Sequence, residues 1–242
     1  MAKDLENIME DNNVFILTNI NAETTNGLII QLTQWLNNLP FQKRDDTFYK
    51  TQKIKTSTDS TVFIINAKQA EDTLYKPTEI IPEHIPVLNV YINSNGGNHS
   101  QTFSLLSLFD QARAKGAIIR THNIAHADSC ASMIAVSGTK GYRYMAQHAY
   151  QVIHYGTSTT TMKHPSELDY INIDFNRAID TTSAIYLNRT NLKKDEINQY
   201  YNIEGSGLLN AEQCLEKGIC DWVITNDGRF VNDVKELRQI QR

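Results

Sequence analysis

Short apolar runs rich in β-branched residues alternate along the chain with longer stretches in which apolar positions recur every three or four residues. Residues 13–18 (NVFILT) read as a buried strand. Residues 23–37 then place Leu28, Ile29, Leu32, Trp35 and Leu36 on one helical face. The rhythm breaks over 40–86, where basic and polar residues surround one strand-like island, TVFIINA, followed by the proline-punctuated PTEIIPEHIP; this segment reads as an insertion. The alternation resumes with a strand over 87–92, an NSNGG turn, and a helix over 102–115 that buries Phe103, Leu106 and Phe109 and is closed by Gly116. A strand over 117–122 leads into a stretch of small residues, AHADSCASMIAVSGT, whose 132–136 portion opens a buried helix. Strands GYRYMA and AYQVIH follow, then an amphipathic helix over 166–187, a helix capped by Asn210 and Gly218, and a closing strand. Repeated strand–helix alternation predicts an α/β sheet with helices on its faces, organised as a single domain over 1–242.

Composition narrows the function. The 242 residues include 23 Lys and Arg against 27 Asp and Glu, a net charge of −4, so no basic surplus favours a phosphate backbone and nucleic acid is not an expected partner. No apolar run approaches the roughly 20 residues that span a bilayer, and the start MAKDLENIMEDNN lacks the layout of a signal peptide, so no membrane partner and a cytoplasmic location are expected. Cys130, Cys214 and Cys220 form an odd set without a CxxC pair, which suits reduced thiols.

Phosphate-loop, zinc-helix and nucleophile-elbow motifs are absent. Two constellations remain. At the NSNGG turn, Gly96 and Gly97 allow backbone N–H groups to approach a ligand closely; a plain strand-to-helix turn would look the same. Ser132, with Met133 after it, stands among small residues at an expected helix start, where a hydroxyl is exposed beside a backbone donor or where a small residue merely permits close packing. His122, His126 and Asp128 form an H-x₃-H-x-D spacing that offers metal donors, although a strand-to-loop setting favours structural histidines. No metal and no cofactor is expected.

Taken together, INS-x-GG (Tyr91 to Gly97), the tripeptide Ala131-Ser132-Met133, GTKGYRY (Gly138 to Tyr144), the strand ending at His154 and the late LNAEQCLEKGICD resemble the proteolytic subunit of the Clp proteases. The opening NVFILTNINAETTNGLIIQL resembles that family's first strand and helix, and the relaxed sequence resembles a viral or prophage-type member, which would place the chain in the host cytoplasm. The resemblance implies a crotonase-like repeated ββα spiral with a handle helix, the handle region covering 157–187, and a serine peptidase acting through an acyl-enzyme. It implies Ser132 as nucleophile, His154 as base and oxyanion donors at Gly96, Gly97 and Met133. The separation of Ser132 from His154 is shorter than usual in the family. The implied acid position falls by ungapped counting on Ser206, and Glu204, two residues earlier in the glycine-containing YNIEGSG, is the nearby carboxylate assigned to it; Asp195, Glu196 and Asp221 are further carboxylates. Asn95 and Asp128 replace the proline and glycine usual at their positions. A peptide or unfolded-protein substrate, a homo-oligomeric heptameric ring able to stack as a double ring, and a separate AAA+ unfoldase are the implied partners. Two rival readings are a ring subunit without turnover and an acyl-CoA enzyme on the related crotonase fold.

Overall fold

A computed structural model describes residues 8–10, 14–17, 20–39, 51–55, 61–65, 85–156, 166–203 and 207–240. Most of the 40–86 segment, residues 157–165 at the start of the handle region, and Glu204 and Ser206 lie outside these. Among the described residues nine strands form one sheet. Its main path runs β1 (Ile8–Glu10), β2 (Val14–Leu17), β5 (Val87–Ser94), β6 (Ile118–Asp128), β7 (Arg143–Ala146), β10 (Trp222–Ile224) and β11 (Phe230–Val231). Strands β2, β5, β6, β7 and β10 pair in parallel, as right-handed strand–helix–strand units require. Strands β3 (Thr51–Lys55) and β4 (Thr61–Ile65) make a separate antiparallel pair within the expected insertion.

The 11-residue strand β6 is the pivot. Thr121 to Asn123 pair with β7, whereas His126 to Asp128 pair with β8 (Tyr150–Val152), which in turn pairs antiparallel with β9 (Leu208–Asn210). One edge of β6 therefore carries two neighbours, and the sheet divides there. A register shift between Ile92 and Ser94 of β5 places additional β6 residues opposite the end of that strand.

Helix α1 (Ala22–Asn38) buries Leu28, Leu32 and Leu36, and α2 (His99–Ala114) buries Leu105, Leu106, Phe109 and Ala112. The second helix starts three residues earlier than its apolar pattern indicates, because Asn98 caps it by accepting from the Gln101 N–H at 3.1 Å. Helix α3 (Cys130–Val136) is buried throughout. Helix α4 (Ser166–Arg189) is followed by α5 (Lys194–Asn202), α6 (Ala211–Glu216) and α7 (Val234–Ile240). Asn210 and Gln213 form the capping box of α6, and Gly218 takes the positive φ beyond its end. No helix of the described residues is long and apolar enough to cross a membrane.

His122 lies between Tyr91 and Tyr144, its ring stacked at 4.5 and 4.8 Å between centroids. Burial, with a smaller contribution from the Arg120 charge, lowers its pKa to about 4, and its Nε2 has no hydrogen-bond partner among the described residues. The imidazole is thus neutral in the fold and charged in the unfolded chain below pH ~6.5. Its contribution is present above that pH and is lost as pH falls from ~6.5 towards 4, on the order of 2–3 kcal/mol in all. His122→Phe is expected to flatten the decline in urea midpoint between pH 6.5 and 4; an unchanged slope would refute this.

Candidate active site

Three parallel strands, β5, β6 and β8, end side by side, and their C-terminal ends deliver the residues of interest; this end of an open α/β sheet is where ligands bind. After β5, Gly96 and Gly97 adopt φ of 90° and 147°. A Cβ at Gly97 would fall 2.0 Å from the Ile20 carbonyl oxygen, so only glycine fits. Ile20 clamps the turn, donating to the Gly96 carbonyl at 3.2 Å and accepting from the Asn98 N–H at 2.7 Å. The Gly96 N–H donates to Ser94 Oγ at 3.1 Å, while no described residue accepts from the Gly97 N–H.

After β6 comes Ser129, a non-glycine residue with positive φ (φ 53°, ψ −121°) that makes no side-chain capping bond to α3. A non-glycine residue here carries strain of order 1–3 kcal/mol, and a strained strand-to-helix turn is how a nucleophilic hydroxyl is held at the rim of a sheet. The turn is held from both sides: the Ser129 N–H donates to the Val152 carbonyl at 2.9 Å, and the Cys130 thiol donates to the Gly97 carbonyl at 3.0 Å. The built Cβ of Gly96 would lie 2.8 Å from Ser129 Cβ and 3.0 Å from Cys130 N, so the glycine turn and the serine turn are in direct contact.

Ser132, the serine expected to attack, sits one turn into α3 and is 0% exposed. Its hydroxyl donates to the Ser129 carbonyl at 2.7 Å and is hydrogen-bonded by the buried Tyr186 hydroxyl of α4. Met133, the fourth residue of that helix, is buried as well. Neither meets His154, whose side chain is exposed two residues beyond β8. Its Nδ1 lies 2.7 Å from the Tyr155 carbonyl oxygen. A carbonyl only accepts, so Nδ1 carries the proton and Nε2 presents a lone pair. Tyr155 is itself braced edge-on by Phe175 of α4 at 5.2 Å and Tyr201 of α5 at 5.7 Å. At the start of α2, His99 has its pKa lowered by burial and by the His154 charge.

The other carboxylates are placed as follows. Glu204 lies outside the described residues; the carbonyl of nearby Gly207 accepts from the Ile153 N–H at 2.9 Å, next to His154. Asp221 is engaged by Arg143, Glu196 pairs with Lys217 at 2.6 Å, and Asp195 lies exposed in the first turn of α5. His122 and His126 do not converge on a metal site: one is sandwiched between tyrosines, the other holds Asn95 Oδ1 at 2.8 Å, and no metal-binding group of His, Cys, Asp and Glu occurs among the described residues.

Residues 82–227 match the family model described as Clp protease. The ATP-dependent Clp protease proteolytic subunit of Mesostigma viride is 26% identical over 147 residues, an alignment that covers 61% of this chain and 60% of that protein. The chain thus spans about three-fifths of the length of that curated relative.

Proposed function

Because the chain belongs to the Clp protease family, whose mixed α/β architecture with a curled sheet it has, we propose that it is a serine peptidase with Ser129, not Ser132, as its nucleophile. The observation that carries the reading is the positive φ of Ser129 at the rim, against the complete burial of Ser132. Ser129 Oγ attacks the scissile carbonyl while its proton passes to Nε2 of His154. The oxyanion is received by the Gly97 N–H and by the N–H of Cys130, the residue directly after the nucleophile, which replaces Met133 in that role; such a donor is typically worth about 3–4 kcal/mol. His154 returns the proton to the leaving amine as the C–N bond breaks, and water then releases the acyl group by the same path. The Tyr155 carbonyl holds the imidazole in the required tautomer. The family resemblance implies Glu204 as the acid; with the tautomer fixed in this way, what a carboxylate has left to supply, from Glu204 or from another position, is the negative charge that offsets the imidazolium.

The wider reading includes a homo-oligomeric, heptameric ring, stacked through a handle at 157–187, a peptide or unfolded-protein substrate, and 40–86 as an insertion in a single domain. ATP dependence would come from a separate AAA+ unfoldase in the cytoplasm, host cytoplasm for a viral or prophage-type chain. Treatment with a fluorophosphonate and mapping of the adduct by mass spectrometry tests the chemistry: modification of Ser129 that vanishes in His154→Ala is expected. An adduct on Ser132 would return the nucleophile to that position, and no adduct at all would favour a ring subunit without turnover.

A further inference from the structure

Asp128 directly precedes the strained serine, yet the chemistry above gives its side chain no task. In the parallel register of β6 with β8, His126 lies opposite Tyr150 and Asp128 opposite Val152. The His126 and Tyr150 rings stack at 5.6 Å, which marks the sheet face these positions share. His154 continues the same parity two residues past Val152. Asp128 Oδ1 is shut off from solvent and has no hydrogen-bond partner among the described residues, an arrangement that calls for a compensating charge. Burial raises the pKa of this carboxyl, and the charges of His126 and His154 oppose the rise. Of the two imidazoles, His126 is occupied by Asn95, whereas His154 is the one whose charge changes during the proposed turnover.

Resting on the serine-peptidase reading, we propose that Asp128 is a positioning residue that acts through His154, its carboxylate stabilising the imidazolium that forms as Ser129 gives up its proton. Two tasks that one acid performs in a conventional triad are divided here: the Tyr155 carbonyl fixes the tautomer, and Asp128 supplies the negative charge. The proton itself never reaches Asp128; it moves from Ser129 Oγ to His154 Nε2 and on to the leaving amine. The titratable groups that act on Asp128 are His126 of β6 and His154 beyond β8, and the charge of His154 also acts on His99 of α2.

The test is the pH dependence of fluorophosphonate acylation at Ser129 in the full chain. Asp128→Asn is expected to slow acylation at pH 7 at least ~10-fold and to move the acid-side midpoint of the profile about one unit lower, with the peptide KM within ~2-fold. Asp128→Glu is expected to restore the midpoint in part. Asp128→Ser, measured in parallel, should behave as Asn does and keeps the question decidable where one variant folds poorly. An unmoved midpoint, or acylation as fast as or faster than in the unaltered chain, would overturn the proposal, the faster case meaning that the carboxylate opposes the oxyanion. A shifted midpoint in Glu204→Gln but not in Asp128→Asn would likewise overturn it in favour of Glu204. Absence of a Ser129 adduct in the unaltered chain is a separate result, which overturns the peptidase reading itself.

Discussion

Ser129→Ala is expected to lower kcat for peptide hydrolysis by about 10⁶ while leaving the urea midpoint equal or slightly raised. The rate loss is the size seen when a nucleophilic serine is removed from a site whose other parts remain. A stability gain would follow from the turn, since alanine at φ 53° still carries strain but no longer holds a polar group at the rim. Ser132→Ala should do the reverse. It removes the bond to the Ser129 carbonyl and leaves the buried Tyr186 hydroxyl without its partner, at a cost of about 1–3 kcal/mol in stability, while kcat stays within about tenfold. Active-site titration and urea unfolding on the same two samples separate the positions; if the variants exchange behaviours, the assignment of Ser129 is wrong.

The second large effect concerns stability alone. The Arg143 guanidinium grips Asp221 through Nε at 2.8 Å and Nη2 at 2.5 Å, with side chains only 4% and 14% exposed. Its Nη1 donates to the Arg189 carbonyl at 2.6 Å, tying the end of α4 to β7, and the Gly141 N–H donates to the same carboxylate at 2.7 Å. Asp221→Ala strands a buried cation and two backbone donors, so unfolding free energy should fall by about 3–5 kcal/mol. Replacing both members together, Arg143→Met with Asp221→Leu, should recover most of that loss, because the principal penalty is the unpaired charge rather than the missing attraction. Urea midpoints of the single and double variants check this. A double variant as unstable as the single would show that the backbone donors at Gly141 and Arg143 dominate.

The elements that the sequence made legible are those with strong apolar periodicity: β5, the Leu28/Leu32/Leu36 face of α1, and the capped α6 stand where the pattern predicts them. Helix α5 escaped because it is largely polar and buries only Ile197 and Tyr200, and α7 because it is short and buries Leu237 alone. Strand β6 extends six residues past the apolar run that announces it, since pairing with β8, a contact distant in sequence, continues it through His126 and Asp128. The serine question turns on the same point. A tripeptide centred on Ser132 draws attention, but solvent exposure of a hydroxyl depends on where β6 ends and α3 begins. The sequence signal that bears on the proposed assignment is spacing: the separation of Ser132 from His154 is shorter than the resemblance leads one to expect, and Ser129 lengthens it by three residues to 25. The positive φ that distinguishes Ser129 has no residue-type signature, and the role proposed for Asp128 depends on a strand register that local pattern does not encode.

The contact between Tyr186 and Ser132 ties α4 mechanically to the helix that follows the serine turn. Helix α4 has 24 residues, a rod of about 36 Å at 1.5 Å per residue, and it exposes Tyr170 and Ile173 near one end while Tyr186 is sealed inside near the other. A slip of one helical turn, about 5.4 Å, would withdraw the phenol from Ser132, leaving the Ser132 hydroxyl with its bond to the Ser129 carbonyl alone. A bend near the outer end of the rod leaves this contact in place, whereas a lengthwise displacement is felt first at Ser132, one hydrogen bond away from the serine turn.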